Sequence, residues 1–420
     1  MPLPLIFLLA QLAVVPADAP PLQSASVTHP NGVPLTLSMA VAQARTASPR
    51  RRGASLAAEG AREAVRFAGR LPNPLFELRT ENWTASGRAG APDRDVFAVA
   101  TQPIELGGRR GIRQQLAATE SAVADTGLGV LERELALETA RVYIRALKAR
   151  SLVETLTANR EGLAMLVASV DRRVEEGYSP EADLLKFKTE AARVDGDIAR
   201  AHLELERSLT ELTVTIGASA PIHASQLIEP TPLDAPTVSP AAVAASITRH
   251  PAVRAATAVV ERARQVTAYE RARRLPEPVV TAGYKRTQGF DTAVLGVAVV
   301  LPLFDRNESS VAKSLGHERA AAADRELLVY QLTNDADALI RAAHTMGARA
   351  RVAPEELLAP AEEVRRAARA AFREGASDVL KLIDAERVYT DVRRVAIEVR
   401  LDALFTALEA RFAIGEETIP

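Results

Sequence analysis

The chain has 420 residues, 47% hydrophobic and 25% charged, with 52 Lys and Arg against 53 Asp and Glu. That balance supplies no basic face for nucleic acid, and the absence of cysteine removes disulfides, thiolate metal sites, iron–sulfur clusters and thiol nucleophiles. Aromatic residues make up only 4%, too few for one thick globular interior, whereas abundant Ala, Arg, Glu and Leu favour long helices packed through narrow stripes.

Leu3 to Val15 form a short apolar stretch that ends in Ala17-Asp18-Ala19, the small-x-small pattern of signal peptidase. Residues 1–19 therefore read as a secretory signal. No other stretch reaches the roughly 18 apolar residues of a membrane-spanning helix. From residue 20 onward the chain reads as one unit written twice. Arg70-Leu71-Pro72-Asn73-Pro74 returns about 200 residues later as Arg274-Leu275-Pro276-Glu277-Pro278. Thr101-Gln102-Pro103-Ile104 is matched by Val300-Leu301-Pro302-Leu303, and Arg173-Val174-Glu175-Glu176-Gly177 by Ala371-Phe372-Arg373-Glu374-Gly375. The first repeat spans 20–217 and the second 241–420. Between them, 218–240 is a proline-rich linker without regular structure, carrying Pro221, Pro230, Pro232, Pro236 and Pro240.

In chain order the first repeat is expected to hold a helix over Pro49–Leu71, strands over 75–83 and 95–102, a long helix over Ile112–Glu176 and a tip turn at 177–179. A medium helix over Ser179–Ile216 completes it. The second holds a helix over Pro251–Leu275, strands over 279–286 and 292–301, and a long helix over Glu308–Glu374 that Pro354 and Pro360 kink or end locally. A tip turn at 375–377 and a helix over Ser377–Ala413 follow. Each long helix spans about 100 Å, and the shorter helices of each repeat sum to roughly that length. This suits a two-layered wall of one continuous helix beside two stacked ones. Stripes such as Val388, Val392, Val395 and Val399 alternate steps of four and three, the spacing of knobs-into-holes packing.

The strands have about the nine to eleven residues of a tilted membrane strand. Phe76, Leu78, Thr80 and Asn82 share one face of the first strand and Glu77, Arg79 and Glu81 the other, so one face suits lipid and the other a wet lumen. Trp83 and Phe290, the latter in the opposite hairpin loop, are candidate interface aromatics. Four strands cannot close a barrel in lipid, where an open edge leaves backbone groups unsatisfied. Three copies supply twelve. No histidine pair at helical spacing, HExxH, Walker loop or nucleophile elbow is present, so no catalytic residue, cofactor or metal site is expected.

The duplicated plan with its paired LPxP strand entries resembles the TolC-like outer-membrane efflux factors. The segment Gln102-Pro103-Ile104-Glu105-Leu106-Gly107-Gly108-Arg109-Arg110 resembles the subgroup typified by CzcC, found with heavy-metal efflux pumps. The resemblance implies a mainly α homotrimer in the outer membrane of a Gram-negative-type bacterium. A twelve-stranded barrel in outer-membrane lipid would sit on an α-helical tunnel in the periplasm. It implies work as a non-enzymatic export duct with a periplasmic adaptor and a resistance-nodulation-division pump of the inner membrane, for cargo that includes metal cations.

By the same resemblance, adaptor docking falls at the tip turns, Gly177 and Ser179 with Gly375 and Ser377. The glycines take left-handed caps there and the serines N-cap the following helices. The constricted periplasmic end falls on Asp384, Lys381 and Asp183, with Lys381 placed to pair with Asp384 at i,i+3. Two other readings are a periplasmic adaptor with one long hairpin and a soluble coiled-coil structural protein. The duplication of strand pairs and long helices counts against the first, the signal and the proline-bracketed strands against the second.

Overall fold

A computed structural model describes residues 33–81, 95–287 and 289–420. The signal segment, Asn82 and Trp83 lie outside the described residues. Each repeat opens with a short helix that the sequence reading had missed: α1 (Leu37–Ala47) and, in the second repeat, α5 (Pro240–Thr248). Both start on a capping hydroxyl. Thr36 Oγ1 accepts from Met39 N at 3.2 Å and Ser239 Oγ from Ala242 N at 3.3 Å. Both end where a proline starts the next helix, α2 (Pro49–Ala68) and α6 (Pro251–Ala272). Proline suits a first helical position because its missing N–H has no partner there in any case.

The strands are β1 (Leu75–Glu81), β2 (Asp95–Pro103), β3 (Pro278–Thr287) and β4 (Phe290–Val299). They form one antiparallel sheet in the order β1-β2-β3-β4, in which β2 and β3 join the two repeats. The register sorts the side chains. Phe76 lines up with Ala100, Ala282 and Leu295, and Leu78 with Ala98, Tyr284 and Ala293. This apolar face is exposed throughout β1 and β4, with Phe76 at 70% and Leu295 at 83%. The opposite face carries Glu77, Arg79, Glu81, Thr101, Thr281 and Lys285. Phe290 is not in a loop. It opens β4 opposite Thr287, which sets it on the charged face, while Tyr284 is an aromatic of the apolar face.

After β2 comes α3 (Arg109–Glu175), 67 unbroken residues and about 100 Å long. α2 lies beside its first part, marked by Arg62–Asp125 at 2.8 Å and Arg50–Glu138 at 2.5 Å. α4 (Glu181–Thr215) lies beside its second part, marked by Arg145–Glu211 at 2.6 Å and Arg160–Asp195 at 2.7 Å. Those exposed pairs mark neighbours more than they stabilise. In the second repeat α7 (Glu308–Ala353) meets Pro354 and Pro360. The helix does not stop. One π-helical turn, Pro354–Leu358, carries it into α8 (Ala359–Arg373), because the wider turn absorbs the missing proline donor. α9 (Val379–Ala413) closes the fold against α3, α7 and α8.

Stability resides in seams. One apolar cluster joins Leu37 and Val41 of α1 to Leu147 of α3, Leu209 of α4 and Leu408 of α9. Tyr143 of α3 pins the linker to this cluster. Its hydroxyl lies 2.6 Å from the carbonyl oxygens of both Leu35 and Ile228 and accepts Ile228 N–H at 2.9 Å. Burial pushes the phenol up to about 12, so it stays a neutral donor. The linker itself is irregular apart from a 3-10 turn at Ala224–Gln226 and a bridge between Leu35 and Leu227.

Candidate functional site

Two places collect the residues that the sequence singles out: the corner between sheet and tunnel, and the tip. The corner is built from the end of β2 and the start of α3. Gln102 Nε2 donates to Pro72 O at 3.0 Å, tying β2 to the entry of β1. Gly107 and Gly108 both take left-handed backbone, φ 68° and 71°. A Cβ on Gly107 would lie 2.1 Å from Leu275 Cδ1, whereas one on Gly108 would meet nothing within 4 Å. Gly107→Ala thus adds a clash to the backbone strain, and Gly108→Ala carries only the strain, about 1 to 2 kcal/mol. Thermal unfolding of the two variants should show the larger loss for Gly107→Ala. Equal losses would mean that Leu275 moves aside freely.

Three arginines then grip the ends of two helices. Arg109, 8% exposed, donates from Nε to Ala272 O at 3.2 Å and from Nη2 to the carbonyls of Arg273 and Leu275, and pairs with Glu277 at 2.7 Å. Arg110 Nε donates to Gly69 O at 2.6 Å. Arg113 donates to Ala68 O and Arg70 O, each at 2.6 Å, and forks onto Glu105. The carbonyls at the C-terminal ends of α6 and α2 thereby receive charged donors, as their partial negative charge favours. The motif works here as a clamp that seats both strand entries on α3. In the second repeat Asn307, φ 57°, stands where the first has Gly108, and its Nδ2 donates to Glu270 O at 2.9 Å.

At the tips Gly177 and Gly375 have φ 76° and 72°, left-handed caps in both repeats. The serines do not cap the following helices. α4 starts after Pro180 with no side-chain cap, since that proline's fixed φ marks the boundary by itself. α9 starts on Asp378, whose carboxylate accepts from Lys381 N at 2.9 Å and also suits the positive end of the helix dipole. The Lys381 ammonium forms no ion pair with Asp384 among the described residues. Asp183 pairs with Lys186 at 3.1 Å instead.

Asp384 lines a groove of about 630 Å³ between α4 and α9, together with Lys186, Glu190, Ile383 and Arg387; Lys381 does not line it. Glu190 is the residue that sequence reasoning missed. Its side chain is 4% exposed, and Arg387 of α9 donates to it from Nε at 2.9 Å. Arg193, one turn on, forks onto the same carboxylate at 2.7 to 3.2 Å. Burial opposes its ionisation, yet the hydrogen bonds from Arg387 and Arg193 prevail and hold the carboxyl at about 2. The available signal was a carboxylate on the apolar stripe of Leu184, Phe187, Ala191 and Val194. Beneath it Phe187 and Phe372 meet edge to face at 5.7 Å. Among the described residues no group of three metal-ligating side chains occurs, and no helix is long and apolar enough to cross a membrane.

No protein-family model matches the chain. It is 26% identical over 366 residues to the cobalt-zinc-cadmium resistance protein CzcC of Cupriavidus metallidurans, covering 86% of this chain and 85% of that one. The nickel and cobalt resistance protein CnrC of the same organism is 28% identical over 257 residues, 61% of this chain and 60% of that protein. Among solved structures the fold matches the Campylobacter jejuni CmeC outer-membrane channel with a TM-score of 0.76, at 14% identity, over 90% of this chain and 85% of that one. The single sheet shared by both repeats and the unbroken α3 leave the one-hairpin adaptor and the sheetless coiled coil without support. The chain is thus similar in sequence to the metal-resistance proteins CzcC and CnrC and shares the fold of solved outer-membrane channels.

Proposed function

We propose that three copies of this chain form a passive export duct, a twelve-stranded barrel in the outer membrane continued by a helical tunnel in the periplasm. One observation carries the reading: a four-stranded sheet with one apolar face, two open edges at β1 and β4, and a helix of about 100 Å leading away from it. In lipid both edges need partners, and β4 of one copy meeting β1 of the next supplies them without a further chain. The tip turns around Gly177 and Gly375 dock a periplasmic adaptor, which links the duct to an inner-membrane pump. The resistance names of CzcC and CnrC favour metal cations as the cargo.

Asp384, at the tip groove, narrows the periplasmic end when its copies from three subunits face one another, and Asp183 and Lys381 flank it. Planar-bilayer recording of the full-length protein tests both parts. The wild type should form pores of low resting conductance, and Asp384→Ala should raise that conductance. An unchanged resting current in Asp384→Ala sinks the gate assignment, and the absence of any pore sinks the duct.

A further inference from the structure

Among the described residues, the charged face of the sheet contains one cation without an ion pair. The register places Arg79, Phe97, Lys285 and Thr292 in a single row across β1 to β4. The Arg79 guanidinium and the Lys285 ammonium both lie 4.8 Å from the centroid of the Phe97 ring. Arg79 is otherwise occupied, 3.1 Å from Glu81 and 3.8 Å from Glu77. Lys285 has no carboxylate within ion-pairing distance among the described residues. Its neighbours along the strand, Tyr284 and Arg286, point to the opposite, apolar side.

We propose that Lys285 sets the ion preference of the barrel, acting as a brake on cation binding by the lumen acids; this rests on the duct reading above. Glu77, Glu81 and Asp95 share the inner face with Arg79, so without Lys285 the described inner face would carry two net negative charges per copy instead of one. A ring of such charge on a low-dielectric wall attracts divalent cations, and conduction fails where an ion binds too well to leave. The Phe97 ring keeps the ammonium at this row, where its field offsets the acid rows above and below it. Lys285 therefore keeps the exit of a cation duct from becoming a cation trap.

The test is reversal potential across the full-length protein in planar bilayers under a potassium chloride gradient near 0.1 M, where the screening length is about 10 Å. Lys285→Gln should raise the potassium-to-chloride permeability ratio by about twofold, and added zinc chloride should block it at concentrations the wild type tolerates. Lys285→Arg should match the wild type. Thr292→Glu places a carboxylate in the same row with Lys285 kept, and should shift the ratio in the same direction if Lys285→Gln does not assemble. Pores that conduct with unchanged ratio and unchanged zinc sensitivity in Lys285→Gln and Thr292→Glu overturn this proposal alone. A wild type that forms no pore overturns the duct reading, and this proposal falls with it.

Discussion

Arg109→Ala should cost about 3 kcal/mol and prevent the sheet from seating on the tunnel. The side chain is nearly buried and donates to three carbonyls at the end of α6, besides pairing with Glu277. Alanine leaves the Arg273 and Leu275 carbonyls without that donor and Ala272 O with the Leu275 N–H alone, and the buried groups of the clamp then carry a desolvation penalty. Glu277 loses less, because its side chain is 40% exposed and can turn to water. Lysine at 109 should recover only part of the loss, since one ammonium cannot reproduce the planar fork. Arg306 is the control: it is exposed and forms no ion pair among the described residues, so Arg306→Ala should stay within about 0.5 kcal/mol. Chemical denaturation in detergent separates the three. An Arg109→Ala protein as stable as Arg306→Ala would reduce the clamp to a surface decoration.

That clamp also marks where the sequence was readable and where it was not. The segment from Gln102 to Arg110 stands out because glycines beside arginines at the end of an apolar run are unusual, but the partners of Arg109 lie 163 to 168 residues away and that of Arg110 lies 41 away. Periodicity yields the long helices and the strand pairs, since both depend on neighbours in the chain. It cannot yield α1 and α5, which are 11 and 9 residues long and rely on the core to hold them. Pro354 and Pro360 announce a disturbance, but only the three-dimensional path distinguishes a kink from a single π turn. At the tip, glycine conformation was legible and capping was not. Asp378 outcompetes Ser377 as the cap by position, and Pro180 leaves Ser179 nothing to cap. Glu190 reads as a surface carboxylate until α9 brings Arg387 to it from 197 positions on.

The same pair supports the prediction with the largest functional effect. Arg387→Ala should loosen the tip and raise the resting conductance of the duct more than any change confined to Asp384. Glu190 is the buried member, with 4% of its side chain exposed, while Arg387 is half exposed. Removing Arg387 leaves the carboxylate buried with Arg193 alone, a loss of about 2 kcal/mol, and cuts the charged tie between α4 and α9. Glu190→Ala cuts the same tie but leaves two arginines that rehydrate readily, so its conductance should rise as much while its stability falls less. The acid response follows from the same contacts. Hydrogen bonds from Arg387 and Arg193 outweigh burial and keep the carboxyl at about 2, below its unfolded value. The stabilisation is therefore complete above the ordinary carboxylate range and drains away as the pH falls from there through about 2. In Arg387→Ala one of the two donors is gone and the carboxyl is held down less, so the drain should still begin in the ordinary carboxylate range but be smaller and finish at higher pH. Recording conductance and denaturation midpoint for both variants across that range decides it. If Arg387→Ala and Glu190→Ala match the wild-type current at neutral pH, the tie holds the helices together without closing the duct.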